Sequence, residues 1–303
     1  MDKVTKLLGT AVVIAAAVFA FSNQENEEKT SSTKQDKNLI SQLIDKASSK
    51  SQTEDSEVKA DDAEPSADNK KGNKRLLELP GRLIGTPERI VSHYAYTLSF
   101  NREHNQPNWV AWELTDKETD GHIQRSNDFI PDPMIPTPHR VTTDDYKGSG
   151  YDRGHMAPAA DMKWSGKAMT ECFYMSNMCP QHGSLNSGPW ATLEKACRRW
   201  AQQEGSVYIV CGPVFKGTKH KYIGKNVKVT VPEGFFKVIL SMKKGKEKAI
   251  GFYYNNKSGK QPMDKTATTV DAIEEMTSMD FFVNIPDKLE KQIEASYSLK
   301  EWK

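Results

Sequence analysis

Tyr151-Asp152-Arg153-Gly154-His155-Met156-Ala157-Pro158 sets an imidazole just after a guanidinium and a glycine, between an aromatic residue and a proline-bounded loop. Histidine has an ordinary pKa of about 6.5, so its neutral ring can take a proton from water near neutral pH. Arginine holds phosphate oxygens through two parallel hydrogen bonds and keeps its charge. Glycine lets the backbone turn or come close to a neighbour. A base beside a phosphate-binding cation is what hydrolysis of a phosphate ester needs. So short a string also arises by chance, and its meaning depends on what surrounds it.

A second polar stretch follows: Ser176-Asn177-Met178-Cys179-Pro180-Gln181, then Leu185-Asn186, Trp190 and Glu194. A helix is predicted over residues 186–203, with Pro189 in its first turn, where the missing N–H costs nothing. Trp190, Leu193, Cys197 and Trp200 then recur at helical spacing as a core-facing stripe. Asn186, Glu194 and Arg198 share a neighbouring stripe. An amide oxygen, a carboxylate and a guanidinium on one flank suit a hard cation and a phosphate. Taken alone, the same residues read more readily as an N-cap and an exposed Glu–Arg pair worth about 0.2–0.5 kcal/mol than as a site.

Strand signals lie on either side. Residues 93–100 (HYAYTLSF) alternate apolar and polar, and residues 109–114 (WVAWEL) follow a turn signal at 105–107, which predicts an antiparallel hairpin. Residues 127–138 hold four prolines and read as irregular surface chain. Further strands are predicted at 173–175, 207–210, 235–242 and 249–254, and helices at 163–169, 270–276 and 286–295. Strands and helices mix without regular βαβ alternation, which favours an α+β fold around an antiparallel sheet.

In order and spacing, the run Asp152 to Pro158, Ser176-Asn177 with Pro180-Gln181, Leu185-Asn186, Trp190 and Leu193-Glu194 resembles the DNA/RNA non-specific endonucleases, a family of ββα-metal (His-Me finger) nucleases. The likeness covers roughly residues 92–295. It takes in Asn108-Trp109-Val110-Ala111-Trp112-Glu113-Leu114 and the later Ile273-Glu274 and Asp280-Phe281-Phe282. It implies an α+β domain with a central antiparallel sheet flanked by helices, and hydrolysis of phosphodiester bonds in DNA and RNA alike. By this resemblance His155 activates water. Asn186 is the one protein ligand of Mg²⁺, with Mn²⁺ as a substitute, and Glu194 holds metal-bound waters. Arg153, Arg125 and Arg198 contact the phosphate, and Asn177 orders the site. One position departs from the pattern: some members carry an asparagine four residues before Asn177, where this chain has Phe173.

The 303-residue chain is uneven in composition. Residues 22–75 carry 12 acids, 10 bases and no aromatic residue. Their few aliphatic side chains cannot offset about 1–2 kcal/mol of backbone entropy per residue. They read as a disordered polar linker. Residues 76–303 hold all six tryptophans and all four cysteines and make one nuclease domain. Two comparable domains and a multi-span membrane protein are thereby excluded. Residues 1–21 join Lys3 and Lys6 to an apolar run, a signal peptide or N-terminal membrane anchor. That predicts an exported protein, periplasmic or extracellular, either released or tethered through residues 7–21. In an oxidising compartment the four cysteines allow three complete pairings, or stay as free thiols.

Net charge is +2, with ten lysines in residues 212–248. They read as a basic stripe that attracts a phosphate backbone without reading bases, or equally as a solvated sheet edge. Two other functions compete. A catalytically inactive nucleic-acid-binding protein of the same fold is opposed by the joint presence of His155, Asn186 and Glu194. A two-metal phosphodiesterase of small molecules is opposed by the lack of a dense Asp/His cluster.

Overall fold

β1 (Arg89–Ser92), which the sequence pattern does not reveal, starts a sheet whose edge it forms; of its four residues only Val91 is buried. The hairpin expected next is present, although its first strand starts four residues later than the alternation suggests. β2 (Thr97–Asn101) pairs with β3 (Gln106–Thr115), Leu98 opposite Val110, and the chain reverses near Asn105 at φ 52°. Asparagine tolerates that left-handed conformation better than most residues. The computed structural model describes residues 76–302, so the expected leader (1–21) and linker (22–75) lie outside the described residues.

Four further strands complete the sheet: β6 (Ser206–Val214), β9 (Gly234–Ser241), β10 (Lys248–Asn255) and the short β11 (Ala267–Thr268). Their order is β1-β2-β3-β6-β9-β10-β11, antiparallel throughout. Two ribbons stand apart from it: β4 (Asp152–His155) with β5 (Met178–Gln181), and β7 (Lys221–Ile223) with β8 (Val229–Val231). The main helices are α1 (Gly166–Glu171), α2 (Ala191–Glu204), α3 (Val270–Thr277) and α4 (Asp287–Glu294). Ser165 caps α1 by accepting from the Ala168 N–H, and Thr269 caps α3 by accepting from that of Ala272.

Both faces of the sheet are covered, so its central strands lose the alternation of a half-exposed sheet and read as nearly continuous apolar runs. β9, GFFKVILS, is buried along its whole length. β3 divides its side chains between two cores. Val110, Trp112 and Leu114 pack with Met156, Trp190, Leu193 and Trp200 on the α2 face. Trp109 and Ala111 pack with Ile273, Phe281, Phe282 and Ile293 on the α3–α4 face. The α+β architecture with a helix-flanked antiparallel sheet is the one expected.

Two local expectations fail for identifiable reasons. Residues 173–175 are not a strand, because a 3₁₀ turn follows at Met175–Asn177 and the Asn177 side chain takes up nearby backbone groups. The helix predicted over 186–203 is broken. The chain becomes helical already at Gly183–Leu185, so Pro189 falls inside the helix, where its ring opposes a carbonyl one turn earlier. A π turn over Asn186–Trp190 absorbs the conflict, with Gly188 at φ −108° and ψ −106°, and α2 starts after it. The core stripe survives, with Trp190, Leu193, Cys197 and Trp200 all buried. All four cysteines are free and buried. Among the described residues no helix is long and apolar enough to cross a membrane.

Candidate active site

β4 presents the first motif and β5 holds it, with His155 opposite Met178 and Gly154 opposite Cys179. Gly154 is required by close approach: a Cβ there would lie 2.3 Å from Gln181 Oε1 and 2.6 Å from Gln181 Cβ. Gly154→Ala is therefore expected to push β4 off β5, losing about 1–3 kcal/mol of stability as an overpacked site does. Urea unfolding with a nuclease assay checks this, and an unchanged midpoint would contradict it. Beyond β4 the chain is clamped by Asn177, which is fully buried. Its Oδ1 accepts from the Ala157 N–H at 2.9 Å, while its Nδ2 donates to Ala157 O at 2.9 Å and Cys172 O at 2.8 Å.

His155 is 8% exposed, and its Nε2 is buried without a hydrogen-bond partner among the described residues. Two aromatic rings flank it, Phe129 at 5.5 Å and Phe173 edge-on at 4.8 Å between centroids. Phe173, the departure from the family pattern, thus serves as an apolar wall of the imidazole. On the same two rings rest two guanidinium groups, Arg153 at 4.1 Å over Phe129 and Arg125 at 5.1 Å over Phe173. Burial, and then the charges of Arg125 and Arg153, lower the His155 pKa to about 3. The ring is neutral at physiological pH, and the same burial and charges keep it a weak base until an anion offsets the two guanidinium groups.

Arg125, Arg153 and Asn186 meet at one open cleft of about 590 Å³, together with Lys147, Asp152 and Phe129. Asn186 sits on the π turn and donates from Nδ2 to Asp152 Oδ2 at 2.9 Å. Its carbonyl oxygen accepts no hydrogen bond among the described residues. A neutral oxygen held toward a cleft beside the Asp152 carboxylate suits a hard divalent cation, so the donor chemistry fits the metal implied by the resemblance. π turns inserted in helices are frequent at functional sites.

The stripe expected to join Asn186, Glu194 and Arg198 does not exist as one helix face, because the break at Gly188 separates Asn186 from α2. Glu194, half-buried in the first turn of α2, has its carboxyl pushed up to about 7 by burial, against the pull of Lys237. Arg198 is drawn elsewhere. Its Nη1 donates to the buried Asp161 Oδ1 at 2.7 Å, and Asp161 Oδ2 accepts from Trp112 Nε1 at 3.2 Å. It is not among the residues lining the cleft.

Sequence reasoning missed Lys237. It is 1% exposed on β9, with Nζ 4.6 Å from the Trp190 ring and 4.9 Å from that of Trp112. Burial alone would lower its pKa, but Cys211, Cys197, Glu194 and Asp161 carry it above the ordinary value. The signal was available, since one lysine inside an otherwise apolar run is not a surface lysine. Of the ten lysines expected as a basic stripe, three are engaged within the fold. Lys237 points inward, Lys243 Nζ caps Gln203 O at 2.7 Å, and Lys248 pairs with Glu204 at 2.8 Å. Lys221 lies 5.0 Å over the ring of Tyr151, which lines the cleft.

A model of the family described as DNA/RNA non-specific endonuclease matches residues 80–288. Nuclease 1, mitochondrial, of Schizosaccharomyces pombe (strain 972 / ATCC 24843) is 35% identical over 68% of this chain and 69% of its own. Endonuclease G, mitochondrial, of Bos taurus is 34% identical over 68% of this chain and 74% of its own. The crystal structure of the EndoG/EndoGI complex, solved for the mechanism of EndoG inhibition, superposes with a TM-score of 0.65 at 32% identity, covering 70% of this chain and 91% of that one. These relatives overturn the expectation of export, since both curated nucleases are mitochondrial. The physical reason is that a basic flank with an apolar run does not by itself specify which membrane system receives it.

Proposed function

We propose, from the premise that this chain belongs to the DNA/RNA non-specific endonuclease family, that its cleft cleaves the phosphodiester backbone of DNA and RNA alike, with Mg²⁺ held at Asn186 and residues 76–303 as the nuclease domain. That the enzyme is a metal-dependent endonuclease acting on nucleic acid follows from the family itself. The observation that carries the residue assignment is the His155 imidazole: buried, neutral, unpartnered at Nε2, and one ring away from each of two guanidinium groups.

His155 takes the proton of the attacking water as its oxygen bonds to phosphorus and the bond to the leaving sugar oxygen breaks. No hydrogen bond at Nε2 has to be given up first. Arg153 and Arg125 face the non-bridging oxygens, where charge builds in the transition state. Asn186 would hold the cation through its side-chain carbonyl oxygen, with Asp152 fixing the amide, and Glu194 would order waters near it. When bound, Mg²⁺ supplies neutralising charge at the phosphate and at the leaving oxygen. Arg198 serves the site indirectly, by neutralising Asp161 beneath it. Recognition through backbone charge explains why neither base nor sugar has to be read.

The test is incubation of the full chain with circular plasmid and with RNA, with and without EDTA. Nicking and linearisation of plasmid together with RNA breakdown, both abolished by EDTA and restored by Mg²⁺, is the expected result. Activity that survives the chelator would refute the reading. Asn186→Ala is expected to raise the Mg²⁺ concentration at half-maximal rate and to lower the rate itself. Glu194→Gln should cost less at saturating metal, because it acts through waters. Metal titrations of both variants decide, and a larger loss of metal affinity in Glu194→Gln would reverse the two roles.

A further inference from the structure

On the sheet face opposite the cleft, α3 and α4 bring three carboxylates together: Asp271, Glu274 and Glu294 each place an oxygen within 4.8 Å of the other two. Asp271 and Glu274, three residues apart, share one face of α3, and Glu294 is the last residue of α4. Glu294 is 4% exposed, and its Oε1 is buried with no hydrogen-bond partner among the described residues. Glu274 accepts from the Phe281 N–H at 2.7 Å. No ion pair among the described residues reaches any of the three.

The surroundings make the position worse for unpaired charge. Asp280 on the loop and Glu290 on α4 add negative potential at both Glu274 and Glu294. Lys291 offsets Glu290, which also feels Asp280 and Asp287. A buried carboxylate with neither cation nor donor is strongly unfavourable. Ile273 and Ile293 beside it belong to a well-packed core, so the carboxylates are held together by the fold.

We propose that Asp271, Glu274 and Glu294 form a Ca²⁺ site that ties α3 to α4 on the back of the sheet, separate from the catalytic metal. All donors are hard oxygens. An ion that bonds oxygen at about 2.3–2.6 Å spans ligands up to roughly 4.8 Å apart and accepts irregular geometry, whereas Mg²⁺ requires a tight octahedron at about 2.1 Å. Asp271, at the exposed side, leaves room for waters to complete the shell. The role is structural: the ion anchors the C-terminal helical layer without touching the cleft, and the site stands whether or not the catalytic assignment holds.

The test uses the full chain carrying Asn186→Ala, which removes the proposed catalytic ligand. Thermal unfolding is followed in EDTA and with added Ca²⁺, and stoichiometry is measured by calorimetric titration with Ca²⁺ alone. One bound equivalent is expected, with Tm raised by roughly 5 °C or more once free Ca²⁺ exceeds Kd about a hundredfold. Adding Glu294→Gln should abolish both signals. Because that change removes like-charge repulsion, the variant should unfold in EDTA no lower than its parent. Asp271→Asn, at an exposed position, gives a second variant that should lose the response while still cleaving plasmid in Mg²⁺ when Asn186 is intact. Absence of a Ca²⁺-dependent shift, or a shift that survives both substitutions, would overturn the proposal; in that case a proton shared within the cluster relieves the charge.

Discussion

His155→Ala is expected to lower kcat on plasmid DNA by about 10²–10⁴-fold, the range that general-base catalysis supplies, while DNA affinity stays close to that of the parent. Affinity is spared because the positive charges lining the cleft belong to Arg125, Arg153 and Lys147, none of which leaves with the imidazole. A variant keeping half its turnover would refute the assignment. The same substitution carries a stability signature. The folded pKa of His155 is about 3, against about 6.5 unfolded, so between those values the unfolded chain binds one proton more. Parent stability therefore falls as pH drops below about 6.5, by up to about 1.4 kcal/mol per unit for this one group, and is restored as pH rises. The variant lacks that loss. The stability gap between parent and variant should move in the variant's favour from pH 6.5 down to pH 4, as read by urea unfolding across the range. A pH-independent gap would mean that the imidazole is not held neutral by its surroundings.

Much of this site was legible because its residues are unusual for their positions. A glycine between arginine and histidine, an asparagine after serine, and an asparagine and a glutamate flanking a tryptophan have few structural uses in combination. The helix stripe of Trp190, Leu193, Cys197 and Trp200 was visible because burial on one face leaves a period in the sequence. What failed was whatever depended on the partner across a layer. Pro189 gave a sound reason for a helix start, but where the helix truly begins is decided by the Gly183–Leu185 turn, which no period marks. Asp161 and Arg198 lie 37 residues apart and meet only in the fold, so the sequence offers Arg198 for a phosphate contact whereas the structure pairs it with Asp161. Phe173 looked like a lost polar contact and a strand residue. Folding makes it one of two rings that desolvate His155, a role visible only once Phe129 is brought beside it from the proline-rich segment.

Lys237→Met should be the most damaging single change in the sheet, with a loss of about 3–5 kcal/mol, although methionine fills a similar volume. The reason is the charge left behind. Lys237 is the buried cation between Trp112 and Trp190, and it draws down the pKa of both Glu194 and Asp161. Arg198 compensates Asp161 directly, at 2.7 Å, whereas no salt bridge among the described residues reaches Glu194. Without the ammonium, the Glu194 carboxyl should rise above its present value of about 7. The sign follows: the unfolded carboxyl titrates at about 4.5 and the folded one higher, so the folded state binds the extra proton between them and stability falls as pH rises. The penalty of the variant should therefore be largest near pH 8.5 and shrink toward pH 5.5, where Glu194 is protonated. Urea midpoints at the two values test this. If the loss is the same at both, repacking around the tryptophans and not the stranded charge is responsible. A second readout separates the site from the core: on the role proposed for Glu194, any residual nuclease activity should have its pH profile displaced upward, whereas a purely packing defect would lower the rate without moving the profile.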